Sequence, residues 1–374
     1  MGKPGGKAMM KSFVRSLAGG ALLFPGLAFG DSTVATSAGP MRIEQVASGL
    51  DEPWAVDFLP GGGFVVTERD GRLLLAGDGV DLAPLTGVPP VFAQGQGGLL
   101  DVMIPADFAQ SRRVWLSYAR PVGTGGATAA GFGRLAEDGS GLEDFQLVFM
   151  ADPARGGRHF GARLVEAPDG SVFLTTGDRG TGPEGMQSQD GSSALGKVIR
   201  LTDAGADGWQ TTLVSLGHRN AQGAALAADG TLYAVEHGAQ GGDELNRIEP
   251  GRNYGWPVIS YGVNYGGGRI GEGARKEGME QPLHYWDPSI APSGLMVYSG
   301  RLVPQWAGDF FFGSLNSDFL GRLDPDTPAP TGFAEERIAA PETGRVRDVA
   351  EAPDGSIWFL SVHDGAVYRL SPEG

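Results

Sequence analysis

Short apolar runs alternate along this chain with glycine-rich polar turns, and one turn-and-run pattern keeps coming back. Pro60-Gly61-Gly62-Gly63 leads into Phe64-Val65-Val66-Thr67-Glu68, and Pro168-Asp169-Gly170-Ser171 into Val172-Phe173-Leu174-Thr175-Thr176. Ala228-Asp229-Gly230-Thr231 leads into Leu232-Tyr233-Ala234-Val235-Glu236, and Pro353-Asp354-Gly355-Ser356 into Ile357-Trp358-Phe359-Leu360. Turn residues followed by aromatic and β-branched residues predict a strand each time. Looser members lie at residues 112–118 (RRVWLSY) and 308–315 (GDFFFGSL). Aligned on Phe64, Trp115, Phe173, Tyr233, Phe311 and Trp358, the six are spaced 51, 58, 60, 78 and 47 residues apart. Several are followed by a returning run, as in Asp70-Gly71-Arg72-Leu73-Leu74-Leu75, Gly321-Arg322-Leu323 and Asp364-Gly365-Ala366-Val367-Tyr368-Arg369-Leu370. Six such units predict an all-β chain folded as a six-bladed β-propeller of four-stranded antiparallel blades. A β-sandwich with similar turns is the competing arrangement. Propellers commonly close by pairing a strand from one terminus with the blade at the other, which removes an exposed edge; residues 41–46 are the expected closing strand.

Composition supports the strands and adds a compartment. Glycine at 63 residues and proline at 25 favour many tight turns, and no long stretch of helical periodicity follows the leader. The first thirty residues carry Lys3, Lys7, Lys11 and Arg15 without an acid, then an apolar run over residues 17–29 broken by Gly19, Gly20 and Pro25. That is the pattern of a cleavable signal peptide rather than a membrane anchor. The expected organisation is a signal peptide over 1–30 and a single propeller over 31–374, in a periplasmic or secreted protein without stable membrane insertion. The chain has no cysteine, so no disulfide contributes. Without the leader, 25 basic residues face 44 acidic ones, a formal charge of −19. Such a surface repels nucleic acid and anionic lipid; it suits neutral small molecules or cationic partners, and serves equally well for solubility alone.

Propeller geometry gathers loops that are distant in sequence at one mouth of a central channel, so polar residues flanking the repeats are the candidates for chemistry. The glycine-rich turn Gln94-Gly95-Gln96-Gly97-Gly98 allows close backbone approach, with Gln96 projecting from it. His159, in Gly157-Arg158-His159-Phe160-Gly161, precedes Asp178 by nineteen residues with one strand between them, and a carboxylate that orients a histidine makes it a good general base. A histidine in a surface turn fits the same spacing. Residues 217–257 concentrate the most polar groups. Arg219 and Asn220 suit an anionic or carbonyl ligand. The Gly238-Ala239 turn offers carbonyl oxygens to a hard cation such as calcium, and Asp243, Glu244 and Tyr254 add oxygens, although an Asp-Glu pair also makes an ordinary solvated turn. Arg345 and Arg347, two apart in an extended segment, are expected to share a face. They would answer either to a carboxylate-rich ligand or to solvent on an edge strand.

Together these segments resemble a known family. Gln96-Gly97-Gly98-Leu99-Leu100, His159, Gly177-Asp178-Arg179-Gly180, Leu195-Gly196-Lys197-Val198, Gly217-His218-Arg219-Asn220-Ala221-Gln222-Gly223, Asp243-Glu244-Leu245-Asn246, Asn253-Tyr254-Gly255-Trp256-Pro257 and Arg345-Val346-Arg347-Asp348 are similar to the soluble pyrroloquinoline-quinone (PQQ) dependent aldose sugar dehydrogenases. The resemblance covers residues 43–370. It implies a PQQ- and calcium-dependent oxidoreductase that oxidises an aldose at the anomeric carbon to a lactone and passes electrons to a quinone or cytochrome. By position it implies His159 as proton acceptor, Asp178 as its orienting partner and Arg219 stabilising developing charge. It also implies Gln96, Arg219, Asn220, Tyr265, Arg345 and Arg347 at the cofactor, Gly238 and Ala239 at one calcium, and Glu244 with Tyr254 at a second. Ser314-Leu315-Asn316 stands where the family's glucose enzyme has a cofactor lysine, which makes Ser314 and Asn316 the candidate cofactor contacts there. Arg158 replaces an acid before the histidine. A propeller calcium lactonase and a non-catalytic sugar- or partner-binding propeller are the competing functional readings.

Overall fold

The recurring runs are the second strand of each blade. In the computed structural model, which describes residues 31–77, 81–180 and 183–373, all six aligned aromatics fall in that strand: Phe64–Glu68, Arg113–Val122, Val172–Thr176, Leu232–Glu236, Phe310–Ser314 and Ile357–Ser361. The leader expected over residues 1–30 lies outside the described residues. In the unit spanning Asp31–Gly374, the described residues form six antiparallel sheets, five of them four-stranded. Their first strands, Pro53–Phe58, Leu99–Met103, Gly161–Glu166, Ala221–Leu226, Pro292–Val297 and Val346–Glu351, touch one another in a closed ring, and the remaining strands radiate outward. This is a six-bladed β-propeller. Among the described residues no helix is long and apolar enough to cross a membrane.

The ring closes as expected. Gly39–Ser48 pairs with Ala366–Pro372, Met41 facing Pro372 and Ile43 facing Leu370, so the sixth blade is built from both ends of the described chain. A further strand, Ser32–Thr36, lies on its outer edge as a fifth member.

Sheet alternation explains why the repeats read as nearly unbroken apolar runs. Successive side chains point to opposite faces of a sheet, and in a propeller both faces are covered by neighbouring blades. Phe311 enters the cluster between blades five and six, while Phe310 and Phe312 enter the one between four and five. Trp115 faces blade three while Val114 and Leu116 face blade one. The described residues form six such clusters, one at each junction between blades.

Antiparallel pairing puts the start of each first strand beside the end of each second strand, at the same mouth of the ring. There every first strand carries a register shift: Pro53/Ala55, Leu99/Val102, Gly161/Leu164, Ala221/Gly223, Pro292/Leu295 and Val346/Asp348. A bulge bends the strand and re-aims a side chain, so six bulges turn six short stretches toward the axis. The strands also converge closely: a Cβ on Gly294 would lie 2.3 Å from the Asp348 Oδ1, which leaves glycine as the residue that fits.

Just below the mouth the axis is filled by an ion-paired plug. Arg163 reaches Asp101 at 2.9 Å and Asp348 at 3.0 Å, with all three side chains buried. Its Nε donates to the Gln222 carbonyl at 3.1 Å. The Val56 amide binds the second Asp348 oxygen at 3.1 Å and the Leu164 amide that of Asp101 at 2.6 Å, so first strands of five blades are tied together around one guanidinium.

Candidate active site at the propeller mouth

Above this plug opens a cavity of about 310 Å³, walled by Trp54, Gln96, Asn220, Gln222, His237, Asn316, Arg345 and Arg347, with Arg69 at its rim. Its polar walls come from blade-edge loops, as the topology dictates. His159 and Arg219 flank the wall residues Phe160, Gly161 and Asn220.

His159 donates from Nδ1 to Asp178 Oδ1 at 2.6 Å, which leaves Nε2 as the bare nitrogen and proton acceptor. Both side chains are buried. Burial pushes the imidazole's pKa below the ordinary histidine value, with Arg219 and Arg158 adding to the effect and Asp178 opposing it. Burial alone would raise Asp178. The His159 hydrogen bond and charge, the Gly180 amide at 2.8 Å and Arg219 outweigh it and hold the carboxyl below its usual range. The imidazole is thus neutral, and its carboxylate partner ionised, in the neutral pH range.

The loop bearing His159 is strained and braced. His159 has φ +54°, in the left-handed region that ordinary residues avoid. Its amide donates to Gln96 Oε1 at 2.7 Å. The fully buried Arg179 donates to the carbonyls of Arg158, Gly126 and Gly156 at 2.9, 2.5 and 2.8 Å, with its guanidinium carbon 3.6 Å from the Phe160 ring centroid. The Gly-Asp-Arg-Gly segment therefore supplies both the carboxylate that orients His159 and the cation that holds its loop.

Arg219 donates to the His237 carbonyl at 3.2 Å and to the Tyr265 hydroxyl at 3.4 Å, and its buried Nε has no hydrogen-bond partner among the described residues. Asn220 Oδ1 accepts from the Gly161 amide and from Gln222 Nε2, both at 3.2 Å, and Arg347 donates to Gln222 Oε1 at 2.9 Å. Burial, then Arg345 and Arg163, push Arg347 down to about 9. Neutral His237, driven down to about 3 by burial with Arg219 and Arg347, donates from Nε2 to the Pro292 carbonyl at 2.8 Å. The wall is a cluster of cations and N–H donors, suited to a compact anion or carbonyl compound.

Some expected residues sit differently. Arg345 and Arg347 do share the cavity wall, but not through an extended segment: Arg345 has φ +51° and the strand starts at Val346 with a bulge, so this bent backbone is what brings both to the wall. Ser314 is fully buried and donates to the Ile290 carbonyl at 2.8 Å, serving the fold, whereas Asn316 reaches the wall. Tyr265 is 73% exposed and stands beside the cavity, over an adjoining hollow that Gly238 and Ala239 also line. Asp243 is not a free ligand, because its carboxylate accepts from the Gly238, Ile290 and Ala291 amides and from Ser289. The Tyr254 hydroxyl is committed to the Arg247 carbonyl and the Glu249 amide.

Glu244 lies instead beside Glu236. Asn246 Nδ2 bridges the two carboxylates at 3.1 and 3.0 Å, and its own buried Oδ1 has no hydrogen-bond partner among the described residues. Burial and the Glu236 charge raise Glu244 to about 8. These oxygens are the donor type a hard cation takes, although no three His, Cys, Asp or Glu side chains among the described residues are grouped to hold a metal by themselves.

The sequence model for glucose / sorbosone dehydrogenases matches residues 50–369. The chain belongs to this family. Aldose sugar dehydrogenase YliI of Escherichia coli K12 is 40% identical over 351 residues, covering 89% of this chain and 93% of that protein. The crystal structure of the soluble E. coli aldose sugar dehydrogenase in its apo-form superimposes with a TM-score of 0.81 at 38% identity, over 89% of this chain and 100% of that one. The PQQ-bound aldose sugar dehydrogenase of Streptomyces coelicolor gives 0.70 at 26% identity, over 91% and 99%. Within this member of the glucose / sorbosone dehydrogenase family, Trp54, Arg69 and Arg163 are site or support residues that the sequence did not single out, and Trp256, quoted only within the Asn253–Pro257 block, was given no role there. The signal for three of them was position: Trp54 and Arg163 sit at the bulge of a first strand, and Arg69 directly follows a second strand.

Proposed function

We propose that this protein is a PQQ- and calcium-dependent aldose sugar dehydrogenase that oxidises the anomeric carbon to a lactone. The observation that carries the reading is a buried His159–Asp178 pair opening beside Arg345 and Arg347, whose guanidinium groups donate to the Leu315 carbonyl and the Gln222 amide oxygen rather than to a carboxylate.

The residues present fit the cofactor. PQQ is a planar tricarboxylate, and Arg345, Arg347, Asn220 and Gln96 line a cavity rich in donors, with the unpartnered Nε of Arg219 next to it. Arg347 and Arg345 would pair with carboxylates, while Asn220, Asn316 and Tyr265 would fix the ring system. Calcium would take the carbonyls of Gly238 and Ala239 at the cofactor, and Glu244 with its neighbouring oxygens in the fold, Tyr254 packing behind through His218, 4.6 Å from its ring. When bound, PQQ supplies a two-electron acceptor for the hydride that leaves the anomeric carbon, and calcium polarises it. His159 takes the anomeric hydroxyl proton on Nε2, Asp178 stabilises the imidazolium that results, and Arg219 supplies fixed positive charge where negative charge grows. A leader peptide over 1–30 and a cytochrome or quinone acceptor belong to the same reading.

The test is to add PQQ and calcium to the full chain and follow the quinone absorbance on adding an aldose. Bleaching is expected in wild type, and its absence would sink the reading. His159→Ala should bind PQQ but lose on the order of 10²–10⁴-fold in turnover. The acid limb of kcat/KM should lie below the ordinary histidine value. A base with a depressed pKa stays neutral as pH falls, and activity is lost only when pH passes through that depressed value.

A further inference from the structure

The Trp256 side chain touches both halves of the catalytic apparatus. Its Nε1 donates to Asp178 Oδ2 at 2.8 Å, opposite the oxygen that holds His159. Its ring lies under Arg219, whose guanidinium carbon is 5.1 Å from the centroid. The indole is itself fixed by its backbone: the Trp256 amide donates to the Gly217 carbonyl at 2.8 Å, and its carbonyl accepts from Gln189 Nε2 at 2.7 Å. Gly185 closes the outer side. With φ +79°, it lies so near that a Cβ would stand 2.7 Å from Trp256 Nε1 and 2.8 Å from Asp178 Oδ2.

We propose that Trp256 is a positioning residue that locks the base and the guanidinium into one unit, moderating the charge Asp178 presents to His159 and giving Arg219 its platform. The inference rests on the dehydrogenase reading for its kinetic part alone. An N–H donated to a buried carboxylate spreads its charge and lowers its affinity for a proton. Removing that donor makes Asp178 a stronger partner for the imidazolium, so His159 gains a proton at higher pH. The other charged or titratable groups acting on His159 are Arg219, Arg158 and the neutral His237, and none of them is altered by loss of the indole N–H. The ring face acts separately, through its attraction for the guanidinium.

Two substitutions separate these roles. Trp256→Phe keeps a ring and loses the N–H; Trp256→Leu loses both. In isotopically labelled full-length protein without cofactor, the His159 imidazole, assigned by comparison with His159→Gln, should titrate roughly half a pH unit higher in both variants. The acid limb of kcat/KM should move by the same amount in the loaded enzyme. PQQ affinity should stay within about twofold for Trp256→Phe and fall about tenfold for Trp256→Leu. Gly185→Ala, which forces a methyl against the N–H···carboxylate contact, should shift the titration in the same direction and serves if a tryptophan variant does not fold. A His159 titration indistinguishable from wild type in both folded Trp256→Phe and folded Gly185→Ala overturns the proposal. If wild type takes no PQQ, the function proposed above fails, while the imidazole titration still decides this inference.

Discussion

Arg163 and Arg347 both lean on Trp54, their guanidinium carbons 4.6 and 5.6 Å from its ring, yet they are opposites electrostatically. Arg163 sits between Asp101 and Asp348, whose charges outweigh burial and raise its pKa above the ordinary arginine value. Arg347, on the same strand as Asp348, has an amide oxygen for its hydrogen-bond partner, and burial with Arg345, Arg163 and Arg69 outweighs Asp348 and pushes it down to about 9. The fold has neutralised one cation with its own acids and left the other facing a cavity. A buried arginine with carboxylates is part of the architecture, whereas one among cations waits for an anion from outside.

The contrast can be broken at its strongest point first. Arg163→Ala leaves Asp101 and Asp348 facing each other in the channel without a counter-charge, and should cost about 3–5 kcal/mol in denaturant unfolding. A loss under about 1 kcal/mol would mean the plug is dispensable to the ring. Arg347→Ala should do the reverse. Stability without cofactor should hold or rise, because a cation among cations has been removed, while PQQ binding measured by titration weakens by about 2–5 kcal/mol. Equal PQQ affinity in variant and wild type would place Arg347 with the architecture and dissolve the distinction. Arg69 is the intermediate case, since it stands at the cavity rim and pairs with exposed Glu52. For Arg69→Ala, both stability and PQQ affinity should change by less than about 1 kcal/mol, with the affinity change shrinking as salt is added.

What could be read in advance divides along a physical line. Second strands are buried on both faces by neighbouring blades, so Phe64, Phe173, Tyr233 and Trp358 announced themselves through turn and run alone. Closure through residues 41–46 followed from the need to cover an edge. His159 with Asp178 was legible because one hairpin fixes the separation of its two ends. First strands were opaque: Gly161-Ala162-Arg163 and Ala221-Gln222-Gly223 have neither clean alternation nor a strong apolar run, because bulges break their period and the axis demands small or charged residues. Arg163 needed partners 62 and 185 residues away, which no local pattern reveals. Ser314 looked like a site residue because it stands in the segment where the family's glucose enzyme has a cofactor lysine, but strand alternation turns its hydroxyl into the fold. Trp256 read as part of an aromatic turn, since nothing local tells which way an indole N–H will point.

Closure of the ring also imposes an order in time. Met41 and its partner Pro372 are 331 positions apart, so a strand made among the earliest waits for one made among the last. At a synthesis rate of roughly 5–20 residues per second, that edge stays open for some tens of seconds. The blade it completes also carries Arg347 and Asp348, so neither the cavity wall nor the plug beneath it exists until the circle shuts. Catalytic competence would then arrive all at once with the final strand, and an interrupted chain, however many blades it had formed, would hold no part-working site.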